Sequence, residues 1–221
     1  MRCPRGRPAG CGTAKPGRSA RGQGLVEFSL IVPVFLLLLL GVLEFGFMFN
    51  HHLTLQYATR EGARAGAAMA DGSVKDSNCG STTLTAANVD PLIVAAVERV
   101  LMSPGSMVDV SRVSQVRIFK STASGTEAGP VNVWLYRPGD SGNPTVPCQG
   151  TSQRLNFYPS STGWPASSRV IGSTPDSLGV AISYDYLFRT PLSGILTLIG
   201  GSGWTTVPIS DRSIMALQPT S

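Results

Sequence analysis

Two glutamates, Glu27 and Glu44, lie near the two ends of a long apolar run. The run covers residues 25–49, and these carboxylates are its only charged side chains. A carboxylate inside an apolar segment is expensive, so each one calls for a partner or a purpose. The two are 17 positions apart and would lie on different faces of a helix. They therefore need separate explanations.

The apolar run is long enough to cross a membrane. As an α-helix it would rise about 37 Å, against about 30 Å for the hydrocarbon core of a bilayer. A core helix of a soluble protein seldom holds an uninterrupted apolar stretch such as residues 35–40. A removable signal peptide would be shorter and end at a small-x-small site, but the nearest such site, residues 68–70, lies about twenty residues further on. The sequence predicts a transmembrane helix over residues 23–50.

The charges outside this run predict its orientation. Residues 1–22 carry six of the 18 lysines and arginines and no acidic residue, which leaves 12 basic against 13 acidic residues in the rest of the chain. Because basic flanks stay inside, residues 1–22 are predicted to be a cytoplasmic leader and residues 51–221 an extracytoplasmic domain. The nearly neutral body has no basic groove for phosphates, so no nucleic-acid partner is expected.

The residues before and after Glu27 form a recognisable pattern. From Arg21 the sequence reads RGQGLVEF, which ends in Glu27 and Phe28. This resembles the type IV prepilin processing motif, in which a glycine precedes the cut and a glutamate is the fifth residue of the mature chain. In the tight-adherence pilus class the residue after that glutamate is aromatic, as Phe28 is here.

Further elements extend the resemblance to the TadE-like family of tight-adherence pseudopilins. Pro33 interrupts the apolar run, an acid-Phe-Gly element begins at Glu44, and a small-residue segment reads REGAR at residues 60–64. The similarity covers residues 21–69, and the rest of the chain matches the family only in outline.

The resemblance implies that a bacterial prepilin peptidase cuts between Gly22 and Gln23 and releases a new α-amino group at the cytoplasmic face. A glycine at the cut lets the protease approach the backbone closely. Glu27 and Phe28 are then the expected assembly residues, with Glu27 paired to the α-amino group of the subunit beside which it docks. An apolar bundle would reject subunits that lack this pair. The implied partners are the peptidase, other pilins and pseudopilins, the assembly machinery and membrane lipid.

The other polar residues near the membrane suggest no chemistry. Glu44 is either the outer interfacial residue of the anchor or a second contact within an assembly. His51 and His52 are expected at the membrane edge, and the sequence has no metal-ligand spacing, P-loop or G-x-S-x-G motif. We expect no catalytic residue, no metal and no cofactor, and therefore not an enzyme.

The remaining sequence predicts an α+β head. The long helix should continue to residue 70, and Asp90 and Pro91 should open a second helix that runs to about residue 102. Residues 192–199 should form a helix or a lid that packs on a sheet. Residues 137–177, rich in Pro, Gly and Ser, are expected to be a long loop or a surface insertion. Strands are predicted at residues 107–119, 131–136, 178–188 and 205–217. The predicted fold is a long N-terminal transmembrane helix, a small extracytoplasmic helix and an antiparallel-sheet head.

Together these features predict a minor pseudopilin of a tight-adherence (Flp) pilus, a type II–IV secretion-like system, acting in pilus assembly or initiation. It would be a single-pass protein of the bacterial cytoplasmic membrane. The sequence leaves open whether the subunit enters the fibre at the cell surface and whether its head binds a ligand. The alternative is a single-pass, membrane-anchored extracytoplasmic binding or envelope protein without a pilus role.

Two of the four cysteines, Cys79 and Cys148, fall on the predicted outer side, whereas Cys3 and Cys11 fall in the leader. Disulfides are stable outside the cytoplasm, and a bridge between the outer pair would close a loop of about 70 residues and stabilise the head by about 3–5 kcal/mol. Spacing alone does not establish a pair, so two free thiols remain the alternative.

A bridge between Cys79 and Cys148 predicts that membrane-extracted protein migrates faster on a non-reducing gel than on a reducing gel, because the closed loop keeps the denatured chain compact. The Cys79→Ser variant should lose this difference, and Cys3→Ser should keep it. Thiol labelling of both outer cysteines in native, unreduced protein would rule the bridge out.

Overall fold

The computed structural model describes residues 20–69, 85–122, 124–148, 151–200 and 206–218. Among these residues there are three α-helices and seven β-strands. The chain divides into two structural units, Met1–Val42 and Leu43–Ser221.

Helix α1 runs without a break from Ala20 to Met69. None of its side chains from residue 22 to residue 43 is buried. From Glu44 onward one face of the helix is buried, and the spacing of the buried residues is that of a single helix face. They are Glu44, His51, Leu55, Ala58, Thr59, Gly62, Ala63, Gly66, Ala67 and Met69.

Helix α2 (Ala86–Leu101) begins four residues before the start predicted at Asp90, and Pro91 lies inside it. A proline this far from the helix start removes one intrahelical hydrogen bond. The helix nevertheless continues through it, since residues on both sides, such as Val89 and Ile93, are fully buried. Tertiary packing therefore decides where this helix begins.

The head is built on a five-stranded antiparallel sheet with the strand order β5-β2-β1-β6-β7. Its strands are β1 (Val113–Ser121), β2 (Glu127–Tyr136), β5 (Phe157–Thr162), β6 (Ser177–Leu187) and β7 (Thr206–Ala216). A separate hairpin pairs β3 (Thr145–Cys148) with β4 (Thr151–Arg154). Helix α3 (Leu192–Gly200) lies between β6 and β7 in the chain.

The predicted α+β fold, with a long N-terminal helix, a short helix and an antiparallel sheet, is confirmed, and each of the four predicted strands is present. The prediction of a long loop over residues 137–177 is wrong, because β3, β4 and β5 lie within it. β5 forms one edge of the sheet and includes Pro159, which an edge strand tolerates because one side of its backbone has no partner strand. β5 depends on β2, a partner far from it in the chain, whereas β3 and β4 pair with each other as a local hairpin.

Two glycines of α1 lie close to side chains of α2 and β6. An added Cβ at Gly62 would lie 2.6 Å from Cγ2 of Val97 on α2, and one at Gly66 would lie 2.9 Å from Cδ2 of Leu178 on β6. Such distances are too short for any side chain, so glycine at these positions lets α1 approach both neighbours. The alternate residues of β6 that share one face, and are all buried, are Leu178, Val180, Ile182, Tyr184 and Tyr186.

We expect Gly62→Leu to lower the melting temperature of the detergent-solubilised protein, because overpacking a core typically costs about 1–3 kcal/mol. Gly46→Leu is the matched control on the same helix, since an added Cβ there meets nothing within 4 Å. Thermal unfolding followed by circular dichroism compares the two. Equal melting temperatures for the two variants would contradict the close approach at Gly62.

Candidate assembly segment and the Glu44 cluster

Gly22 and Gln23, the predicted cleavage position, lie near the start of α1 and are exposed. An added Cβ at Gly22 or at Gly24 would meet nothing within 4 Å. The backbone on both sides of the Gly22 to Gln23 peptide bond is therefore uncovered within the described structure.

Glu27 lies one turn further along and is also exposed. Its carboxylate Oε1 accepts a hydrogen bond from Nε2 of Gln23 at 3.2 Å, a contact between residues four apart on one helix face. Phe28 follows with 68% of its surface exposed. The structure thus brings Gln23 and Glu27 together, and leaves the carboxylate accessible to a group from another molecule.

Glu44 is in a different environment, because it is buried with only 3% of its surface exposed. Its Oε1 accepts hydrogen bonds from the Tyr186 hydroxyl and from the backbone N–H of Arg189 at 2.9 Å. Its Oε2 accepts one from the backbone N–H of Thr190, also at 2.9 Å. Three donors from the end of β6 and the residues after it therefore satisfy this carboxylate. We call Glu44, Tyr186, Arg189 and Thr190 the Glu44 cluster.

Tyr186 is the most perturbed titratable group of the Glu44 cluster. Burial raises the pKa of its hydroxyl, and the hydrogen bond to the Glu44 carboxylate and that negative charge raise it further. The proton therefore stays on Tyr186 near neutral pH, where the hydroxyl serves as a donor. The next residue in the cluster, Arg189, donates from Nη2 to the carbonyl of Met107 at 2.7 Å, which holds the loop before β1 close by.

The two adjacent histidines have different surroundings. His51 is 1% exposed and its ring lies against Tyr184 and Tyr186, with centroids 5.7 and 5.0 Å away. Its Nδ1 lies 2.7 Å from the carbonyl oxygen of Phe47. His52, by contrast, is half-buried beside Phe49 in an apolar hollow of about 200 Å³. His51 is thus a packing residue between α1 and β6, whereas the sequence placed both histidines at the membrane edge.

A second buried polar cluster was not predicted from the sequence. Asp90 on α2 pairs with Arg169, and Nδ2 of Asn132 donates to Asp90 at 2.7 Å. The Arg169 guanidinium lies 4.6 Å from the ring centre of Trp164. Burial raises the pKa of Asp90, although the charge of Arg169 acts in the opposite direction. These contacts link the first turns of α2 to the segment before β6. The partners are far apart in the chain, so no local sequence pattern predicts them.

Other predicted features cannot be placed. Cys79 lies outside the described residues, so its bridge to Cys148, at the end of β3, stays a prediction. The leader up to residue 19 also lies outside them. Within the described part of the chain, no group of three His, Cys, Asp or Glu side chains is placed to hold a metal ion.

One helix, Gly22–Met69, is long and apolar enough to cross a membrane in the described part of the chain. A family model described as TadE-like protein matches residues 22–64, a region of 43 residues that contains both glutamates. The resemblance found in the sequence is therefore confirmed for this region, and it indicates a protein associated with Tad pili and anchored by an N-terminal helix. No curated protein and no solved structure gives a significant match.

The Glu44 cluster generates a prediction about stability. Tyr186→Phe removes one donor to a buried carboxylate and should lower the free energy of unfolding by about 1.5–3 kcal/mol. Tyr57→Phe is the control, since Tyr57 lies on α1, the helix that carries Glu44, and is 62% exposed. Chemical denaturation of the detergent-solubilised protein measures both.

Glu44→Leu should cost more than Tyr186→Phe, because it leaves three donors without their acceptor. In the Glu44→Leu background, the further change Tyr186→Phe should cost little, so the two effects are not additive. Additive effects would show that the hydroxyl and the carboxylate act independently and would contradict the cluster.

Proposed function

We propose that this chain is a minor pseudopilin of a tight-adherence (Flp) pilus, a non-enzymatic subunit that acts in pilus assembly or initiation. The observation that carries the proposal is the exposed carboxylate of Glu27 in an otherwise apolar helix segment, where its hydrogen-bond partner within the described structure is Gln23 of the same helix. The match of residues 22–64 to the TadE-like family supports it.

The first step of the proposed function is cleavage between Gly22 and Gln23 by a prepilin peptidase. The cut removes the six basic residues of the leader and turns Gln23 into the N-terminal residue, with a positively charged α-amino group. The absence of a side chain at Gly22 supports this step, because a protease must reach the backbone on both sides of the bond.

The second step is docking beside another subunit. A lone carboxylate at the edge of an apolar bundle is costly, and it becomes acceptable when an opposite charge satisfies it. The α-amino group of a neighbouring pilin or pseudopilin supplies that charge. Glu27 then sets the register between the two subunits, since a displaced subunit would leave both the carboxylate and the α-amino group unpaired.

The membrane would hold the chain with its leader in the cytoplasm and its head outside. The part we assign to the hydrocarbon core is residues 25–43, which rise about 28 Å and so match a core of about 30 Å. The burial of Glu44 by residues of the head supports this boundary, which is narrower than the range 23–50 predicted from the sequence. In this assignment residues 44–69 of α1 belong to the extracytoplasmic head.

The experiment replaces the native gene with one that encodes Glu27→Leu. Membrane insertion and cleavage after Gly22 should be intact, because neither needs the carboxylate, whereas pili should be lost because the docked α-amino group has no counter-charge. Val26→Leu is the matched control, because it changes the residue just before Glu27 and keeps the carboxylate. N-terminal sequencing, membrane fractionation and the pilus yield after shearing give the three measurements.

Each outcome bears on the proposal. A wild-type yield of pili with Glu27→Leu would contradict the assembly mechanism and favour the anchored binding or envelope protein, for which losing a membrane carboxylate is neutral or favourable. An N-terminus at Met1 in cells that have the cognate peptidase would contradict the processing step.

A further inference from the structure

Helix α3 (Leu192–Gly200) is an apolar helix that carries a strongly exposed leucine. Its sequence is LSGILTLIG, and residues 190–206 contain no charged side chain. Leu198 is 88% exposed, the most exposed large apolar residue in the described structure. None of the described α3 side chains belongs to the buried core. The helix predicted at residues 192–199 is present, and of its described apolar side chains Leu198 is exposed whereas Leu192 and Ile195 are half-buried.

The position of α3 is fixed by the Glu44 cluster. The backbone N–H groups of Arg189 and Thr190 both bind the Glu44 carboxylate, and α3 begins two residues later. Glu44 in turn directly follows the apolar stretch 25–43, which we assign to the membrane. The start of α3 is therefore held at the level where α1 would leave the bilayer.

We propose that α3 lies in the outer interface of the bilayer and makes a second contact with lipid, next to the membrane exit of α1. A nine-residue helix is too short to span a membrane, but an uncharged apolar helix can lie in the interface, about 5–10 Å into the boundary between headgroups and acyl chains. This inference rests on the proposed membrane assignment of residues 25–43 and adds a lipid-binding surface to it.

Two further observations favour lipid as the occupant. Phe45 and Phe49, one and five positions beyond Glu44, are 62% and 51% exposed. Aromatic and apolar side chains exposed at this level suit the border of a membrane. Arg189, one of the donors to Glu44, is exposed. Its Nη2 binds the Met107 carbonyl, and the remaining N–H groups of its guanidinium can reach lipid phosphates.

The test uses the full chain in phosphatidylcholine vesicles, with an environment-sensitive fluorescent amino acid introduced by codon suppression at one position at a time. The probe at Leu198 reports on α3. The matched control is Val170, an aliphatic residue that is 49% exposed. It lies beside Asp176 at the start of β6, at the opposite end of that strand from Tyr186. A third probe at Leu37 reports on the anchor.

The probe at Leu198 should be quenched by a nitroxide near the head of the acyl chain and protected from iodide, each by roughly twofold relative to the Val170 probe, as expected for a residue in the interface. The Leu198→Ser variant, probed at Ile195, should lose part of this lipid quenching, because the helix then has less apolar surface to bury.

The possible results distinguish the lipid contact of α3 from the membrane assignment of residues 25–43, on which it rests. Lipid quenching at Leu37 together with iodide quenching at Leu198 would overturn the α3 contact and leave the anchor standing. Protection of Leu198 from both quenchers would mean that protein covers α3, in a second copy or another subunit, and would also overturn it. Iodide quenching at Leu37 would overturn the anchor and the inference together.

Discussion

The close packing of one face of α1 against α2 and β6 holds the head together. Two kinds of contact make it possible. At one end, Gly62 and Gly66 let the helix approach α2 and β6 so closely that an added Cβ would lie less than 3.0 Å from their side chains. At the other end, the Glu44 carboxylate accepts three hydrogen bonds from the end of β6 and the residues after it. The hydrophobic contact supplies most of the stabilisation, and the polar contact fixes which residues of α1 and β6 face each other.

The two glutamates of α1 lie in different environments. Glu44 has its donors within the head, so it is a structural group that tolerates burial because it is fully satisfied. Glu27 has one weak contact from its own helix and is exposed. A carboxylate in an apolar segment with so few internal contacts is suited to recognise a charge on another molecule, which is the role that the proposed pilus assembly requires.

The Glu44 cluster also lies next to the part of the head that would meet the membrane in the proposed arrangement. The residues that bind Glu44 are followed at once by α3, so the same two backbone N–H groups satisfy the carboxylate and position an apolar helix. A head attached to lipid at two points would have less freedom to rotate than one attached by α1 alone. For a subunit that must offer Glu27 to a neighbour in a defined register, that restriction lowers the entropy lost on docking.

Much of the protein could be predicted from the sequence because the signals are local. The apolar run and its flanking charges define the long helix, alternating β-branched and aromatic residues define β1, β2, β6 and β7, and the residues from Arg21 to Phe28 define the family segment. The tertiary structure alone decided the partners of Glu44, the burial of His51, the pair of Asp90 with Arg169, and the place of β5 at the edge of the main sheet. Each of these depends on residues that are far apart in the chain. Glu44 and Tyr186 are 142 positions apart. The sequence does not indicate which distant donor a carboxylate will bind, because only the packing of the chain brings one donor within hydrogen-bond distance.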